Sequence, residues 1–164
     1  NRCRRQRQMC IRDRSTPSDE PQYSGLPMEL NELSAEEILP YPLPDGAVVV
    51  TIEQARATLP EARNVLMVLQ AMSDEAHDLT NELELLLDRY AMTHPHVLEV
   101  AEHLGGLVSQ WQNNVARLER IGARIVSMDP GRLEWYGVVD RRMALFSWAV
   151  GETDIEWYLS LIHI

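Results

Sequence analysis

Lysine is missing altogether, and both cysteines, Cys3 and Cys10, lie within the first ten residues. Everything after residue 14 is therefore free of cysteine, which excludes a disulfide framework or a Cys-ligated zinc there. No run of 18 apolar residues occurs, so no segment reads as a membrane-spanning helix. Positive charge is scarce too: all 15 basic residues are Arg, against 25 acids. Six of those Arg and one acid fall in residues 1–14, leaving nine Arg, 24 acids and a net charge of −15 in residues 15–164. Such a surface repels phosphate backbones, so nucleic acid is not expected as a partner, and without an apolar span neither is a membrane. A cytoplasmic location is the default.

The two ends stand apart. Leu159-Ser160-Leu161-Ile162-His163-Ile164 can be encoded by CTG TCT CTT ATA CAC ATC. The reverse complement of that string, shifted in frame, supplies ATG TGT ATA AGA GAC for Met9-Cys10-Ile11-Arg12-Asp13. Both strings look like the transposase adapter used in DNA library preparation. Residues 1–14 and 159–164 are accordingly read as adapter-derived scars on a metagenomic fragment and set aside from the fold. The Arg-rich start is then no nucleic-acid arm. Residues 15–46 hold six of nine Pro, seven acids and no base, and read as a disordered acidic segment, with Met28 a candidate initiator. A single domain remains at residues 47–158.

Its first part, about 52–122, reads as a helical hairpin. Val65, Leu69, Met72, Ala76, Leu79, Leu83, Leu86 and Tyr90 follow alternating steps of four and three, the a/d repeat of a coiled-coil seam. Leu66, Met67, Val68, Leu85 and Leu87 widen the stripe, which implies more than one neighbour. Leu66, Val68, Leu85 and Leu87 are the candidate self-association residues. In the second arm Val97, Ala101, Leu104, Val108, Trp111, Val115, Leu118 and Ile125 fit one frame. Thr93-His94-Pro95-His96 is a short reversal, which makes the arms antiparallel. Thr51 and Gln54 have the spacing of a capping box. Pro60 is expected to split a short leading helix, about 52–58, from the long arm, and Gly122 to end the second arm.

After Gly122 the period changes to that of a small antiparallel β-meander, about 123–158. Asp129-Pro130-Gly131 reads as a turn, Asp140-Arg141 or Arg141-Arg142 as a second reversal, and Gly151 to Asp154 as a third. Leu133, Trp135, Gly137 and Val139 take one face; Glu134, Tyr136 and Val138 the other. The fold class is therefore α+β: a long antiparallel helical hairpin with a short leading helix, followed by the meander.

The segment from Val49 to Pro60 is similar to an LFTLEEANALLP-type opening. Gly131-Arg132-Leu133-Glu134-Trp135 and the run from Ser147 to Tyr158 are similar to a G-R-x-V-x-L-C-W-R-L-G-E-x-E-I-x-(aromatic)-W-H pattern. On these residues the chain resembles the bacterial Domain of Unknown Function 2203 family. Ser147 stands where that pattern has Cys, Ala149 where it has Arg, and Tyr136 where it has Pro. The family has no established function, so the resemblance bears on the fold.

Two residue sets invite chemistry. His94, His96 and His103, with His77 about 24 Å away along the other arm at ~1.5 Å per residue, do not converge as zinc ligands must; no metal and no cofactor is expected. Glu134, Arg142, Trp148, Glu152 and Asp154 could line a polar pocket floored by tryptophan, for a cationic or small polar ligand. The competing reading is cross-strand ion pairs on a sheet. Gly105-Gly106 is no phosphate loop, since no Lys-Ser/Thr follows. The function expected first is a non-enzymatic interaction domain, a homo-oligomer (dimer) or the binder of a protein partner. The alternative is a ligand-binding or catalytic domain on the sheet.

Overall fold

The computed structural model describes residues 8–10 and 43–161. Most of residues 15–46 and of residues 1–14 lie outside this description, whereas residues 159–161 of the C-terminal string are described, Leu159 and Ser160 in the last strand and Leu161 buried against the sheet. The elements run β1 (Gln8–Cys10), β2 (Val49–Val50), α1 (Ile52–Leu87), α2 (Pro95–Arg120), β3 (Ala123–Ser127), β4 (Arg132–Val139), β5 (Arg142–Ala149) and β6 (Trp157–Ser160). Residues 43–46, expected to be disordered, form a turn closed by Ala47 N donating to the Pro44 carbonyl, and Leu43 packs on the sheet.

Thr51 caps α1 reciprocally. Its hydroxyl accepts from Gln54 N (3.1 Å), and the Gln54 side chain accepts from Thr51 N (2.9 Å). The helix then continues unbroken through Pro60, so there is no separate leading helix. An interior proline costs about 3 kcal/mol. Leu59 before it, and Ala62, Val65, Leu66 and Leu69 after it, are all buried in one core. Each large side chain contributes roughly 1.5–3 kcal/mol there, and a break would lose their common register. Pro60 itself faces solvent.

α2 starts at Pro95, with the His94 side chain accepting from His96 N. Three acid–base pairs cross between the arms: Glu82 to His96 (3.4 Å), Glu75 to His103 (3.0 Å) and Glu61 to Arg117 (2.7 Å). One partner steps back by seven and then fourteen residues while the other advances by the same amounts, so the helices are antiparallel in constant register. Along the expected α1 seam Val65, Leu69 and Met72 are buried and Ala76, Leu79, Leu83 and Leu86 half-buried, whereas Tyr90 lies past the helix end and is exposed. The α2 seam differs. Val100 and Leu107 are buried, whereas Ala101 and Val108 are exposed. Val97, Leu104, Trp111 and Leu118 belong to both frames; at the intermediate positions the bulkier neighbour takes the inside place. Gly122, at φ 79°, ends the arm.

The sheet order is β1-β6-β5-β4-β2, with β3 also on β4. One edge of β4 thus serves two strands: β3 pairs antiparallel with Arg132 to Trp135, and β2 pairs parallel with Tyr136 and Gly137. The two-residue β2 is too short to show a period. Asp140 and Arg141, at φ 52° and 61°, make the tight β4–β5 turn. Leu133, Trp135, Ala144, Phe146, Trp148 and Tyr158 face the helices and build the main core with Ala55 to Met72 of α1 and Leu107 and Leu118 of α2. Tyr136, Met143, Leu145 and Leu161 form a smaller cluster on the outer face.

Candidate functional site

The five residues expected to share a pocket do not converge. Trp148 belongs to the helix-facing core, while Glu134 alternates with the core residues Leu133 and Trp135 and so points to the opposite face. Arg142 pairs with Val139, at the other end of β5 from Trp148, which pairs with Leu133. At about 3.4 Å per residue that is roughly 20 Å. The set is therefore divided between the two faces and the two ends of the sheet.

Three of the five hold the β5–β6 connection instead. Trp148 Nε1 donates to the Glu152 carbonyl (2.9 Å), and the Glu152 carboxylate accepts from Ala149 N (2.9 Å). Asp154 accepts from Ile155 N (2.7 Å) and lies 3.4 Å from Arg56 Nε. Arg56 Nη2 also donates to the Ile155 carbonyl (2.8 Å). Arg63 stands over the Trp148 ring at 5.6 Å. These contacts staple the loop to α1. They also explain why β6 starts at Trp157 rather than at Ile155, which is fully buried in the core.

Glu134 sits in a different constellation. Its carboxylate is the one buried charged group among the described residues. Oε2 lies 3.0 Å from Arg124 Nη2, and Oε1 lies 3.6 Å from Arg132 Nη2. Arg124 also donates to Tyr136 Oη (2.7 Å) and stacks on that ring at 4.6 Å. Arg132 Nε donates to Ser147 Oγ (2.9 Å). The strand registers set Arg124 opposite Glu134, Glu134 opposite Ser147, and Ser147 opposite Trp157. A transverse row therefore crosses four strands on the outer face. The residue set read from sequence contains only Glu134 of this row. Arg124, Arg132, Ser147 and Trp157 were accessible only through the register, which the shift between Ile125 and Ser127 in β3 obscures. Two guanidiniums around one carboxylate leave a unit of positive charge, and the serine hydroxyl accepts from a cation. The arrangement is suited to holding an anion rather than to activating a nucleophile.

The hairpin end carries the other candidate set. Leu85 and Leu87 are exposed, as are Met92 and Leu98 around the reversal; Leu85 is 65% and Met92 76% accessible. Val68 is exposed further down α1. Leu66 is not on this surface: it is 1% exposed and packs in the main core. The α1 stripe is wide because it meets α2 on one flank and the sheet on the other. Tyr90 stacks on His94 at 4.2 Å. His96 and His103 each face a glutamate across the arms. Among the described residues no group of three or more His, Cys, Asp or Glu is placed to hold a metal ion, and no helix is long and apolar enough to cross a membrane.

A family model described as "Uncharacterized conserved protein (DUF2203)" matches residues 49–161, from β2 to just past β6. No curated protein and no solved structure matches the chain.

Proposed function

The chain belongs to this uncharacterized conserved family, and we propose that it is a non-enzymatic interaction domain that self-associates through the far half of its helical pair. The observation that carries this reading is the exposure of Leu85, Leu87, Met92 and Leu98 on a hairpin that outruns its own core. α1 has no fully buried residue beyond Met72. Its last fifteen residues, roughly 22 Å at ~1.5 Å per residue, run on beyond the last buried position, with the start of α2 beside them among the described residues. Apolar surface gathered on a projecting element marks an association site. The heptad-spaced contacts between the arms fit the antiparallel coiled-coil reading, and a second copy would cover Leu85 and Leu87, the exposed far end of the α1 stripe. The composition after residue 14 fits a cytoplasmic setting.

Residues 73–104 carry eight acids and one Arg, so two copies repel until salt screens them. Sedimentation equilibrium from micromolar to hundred-micromolar protein should show a dimer that tightens with added salt. Leu85→Glu with Met92→Glu should be a folded monomer by circular dichroism and sedimentation. A wild-type chain that stays monomeric throughout this range, at high salt as well as low, overturns the reading.

A further inference from the structure

The transverse row on the outer face bears on a separate question, independent of self-association. Arg124 and Arg132 are 43% and 39% exposed in their side chains, yet both are held in place. Arg124 is fixed by Glu134, by the Tyr136 hydroxyl and by stacking on that ring. Arg132 gives its hydrogen bond to Ser147 and only a 3.6 Å contact to Glu134. Neutralising Glu134 needs one guanidinium, and Arg124 at 3.0 Å supplies it. Arg132 is therefore held at the row beyond what the carboxylate requires. The bonds named use a minority of the five N–H donors on each guanidinium. Ordering of these long side chains has already been met by the fold, so an incoming oxyanion does not bear that cost again. Trp157, opposite Ser147, stands on the same face and is 37% exposed. It lies two strands from Glu134, about 10 Å at ~4.8 Å per strand.

We propose that this face binds a small organic oxyanion carrying a flat ring, an aryl phosphate or aryl carboxylate, with its charge on Arg124 and Arg132 and its ring against Trp157. Spacing and charge select this class together. The excess unit of positive charge calls for an anion, planar guanidiniums match phosphate or carboxylate oxygens in pairs, and the exposed indole lies one small aromatic molecule away. The Ser147 hydroxyl stands between the two ends of the row.

Titration of the full chain with phenyl phosphate and with benzoate, followed by ligand-observed NMR and calorimetry, separates the two oxyanions. The one that binds should do so about tenfold or more tightly than inorganic phosphate or acetate. Arg132→Gln should weaken it by about tenfold, Arg132→Lys should restore part of that loss, and Trp157→Leu should lower it to the level of the ringless anion. If Arg132→Gln fails to fold by circular dichroism, Glu134→Gln takes its place. It keeps the shape and removes the carboxylate that competes for both guanidiniums, so binding should tighten. The proposal is overturned if neither aryl anion binds, if ringless anions bind as well, or if a folded Arg132→Gln or Glu134→Gln variant leaves affinity unchanged.

Discussion

Gly137 and Gly105 show how differently one residue type can be used. Gly137 lies on the core face of β4, and a Cβ built there would fall 2.0 Å from the Phe146 ring. Phe146 is fully buried, so the ring has nowhere to retreat. Gly137→Ala should therefore lower stability by about 1–3 kcal/mol, the usual range for overpacking, visible as an earlier chemical-denaturation midpoint. Gly105 is the opposite case. It lies inside α2 with ordinary helical geometry, and nothing comes within 4 Å of an added Cβ. Gly105→Ala should stabilise by about 0.4–1 kcal/mol, because it restricts the unfolded chain and improves helix propensity. Midpoint shifts of opposite sign, the larger at Gly137, would show that the sheet glycine makes room for a ring while the helix glycine fills no structural need.

At the scale of the element, what could be read from the sequence was what is local. The Thr51–Gln54 capping box closes over three residues, and the α1 seam repeats every turn or two, so both are written in short windows. The α2 frame was ambiguous because Val100 and Ala101, and Leu107 and Val108, offer apolar residues at both steps of three and steps of four. Only the partner helix decides between them. Leu107→Ala should cost about 2–4 kcal/mol while Val108→Ala stays within roughly 0.5 kcal/mol; equal costs in thermal unfolding would return the seam to the other frame. The β4–β5 turn was legible as a pair of alternatives, and the chain uses Asp140-Arg141. Continuity through Pro60 was not legible, since it depends on the sheet beneath α1. Nor was the parallel strand β2, two residues long, or the row of Arg124, Glu134, Ser147 and Trp157, which exists only once three strand registers are fixed. The residues expected around Trp148 are divided because adjacent motif residues fall on opposite faces of a strand, Trp148 toward the helices and Glu134 away from them.

The whole molecule is unevenly founded. From Ala55 to Met72, α1 lies on the sheet with α2 beside it, and most of the large buried side chains gather there. Beyond Met72, among the described residues, Ala76 and Leu79 still touch the main core, and past them the arms face each other. Val97 and Val100 are buried but lie outside the main core cluster, and Leu83, Leu86 and Leu104 are half-exposed. Local opening free energies follow buried contact density, so the far half of the hairpin should open without the sheet. In dilute protein, amide exchange over about 78–100 should be orders of magnitude faster than over 55–72, which should exchange near the global unfolding limit. Self-association makes a further demand on the same measurement. A second copy seated on Leu85, Leu87 and Met92 would close that surface, and binding to the native state alone adds protection in proportion to the logarithm of protein concentration. Protection at the hairpin end should then rise as concentration increases, while 55–72 changes little. Uniform protection along α1 at low concentration would mean that the far half is stable alone. Fast exchange there that ignores concentration would mean that no second copy sits on it.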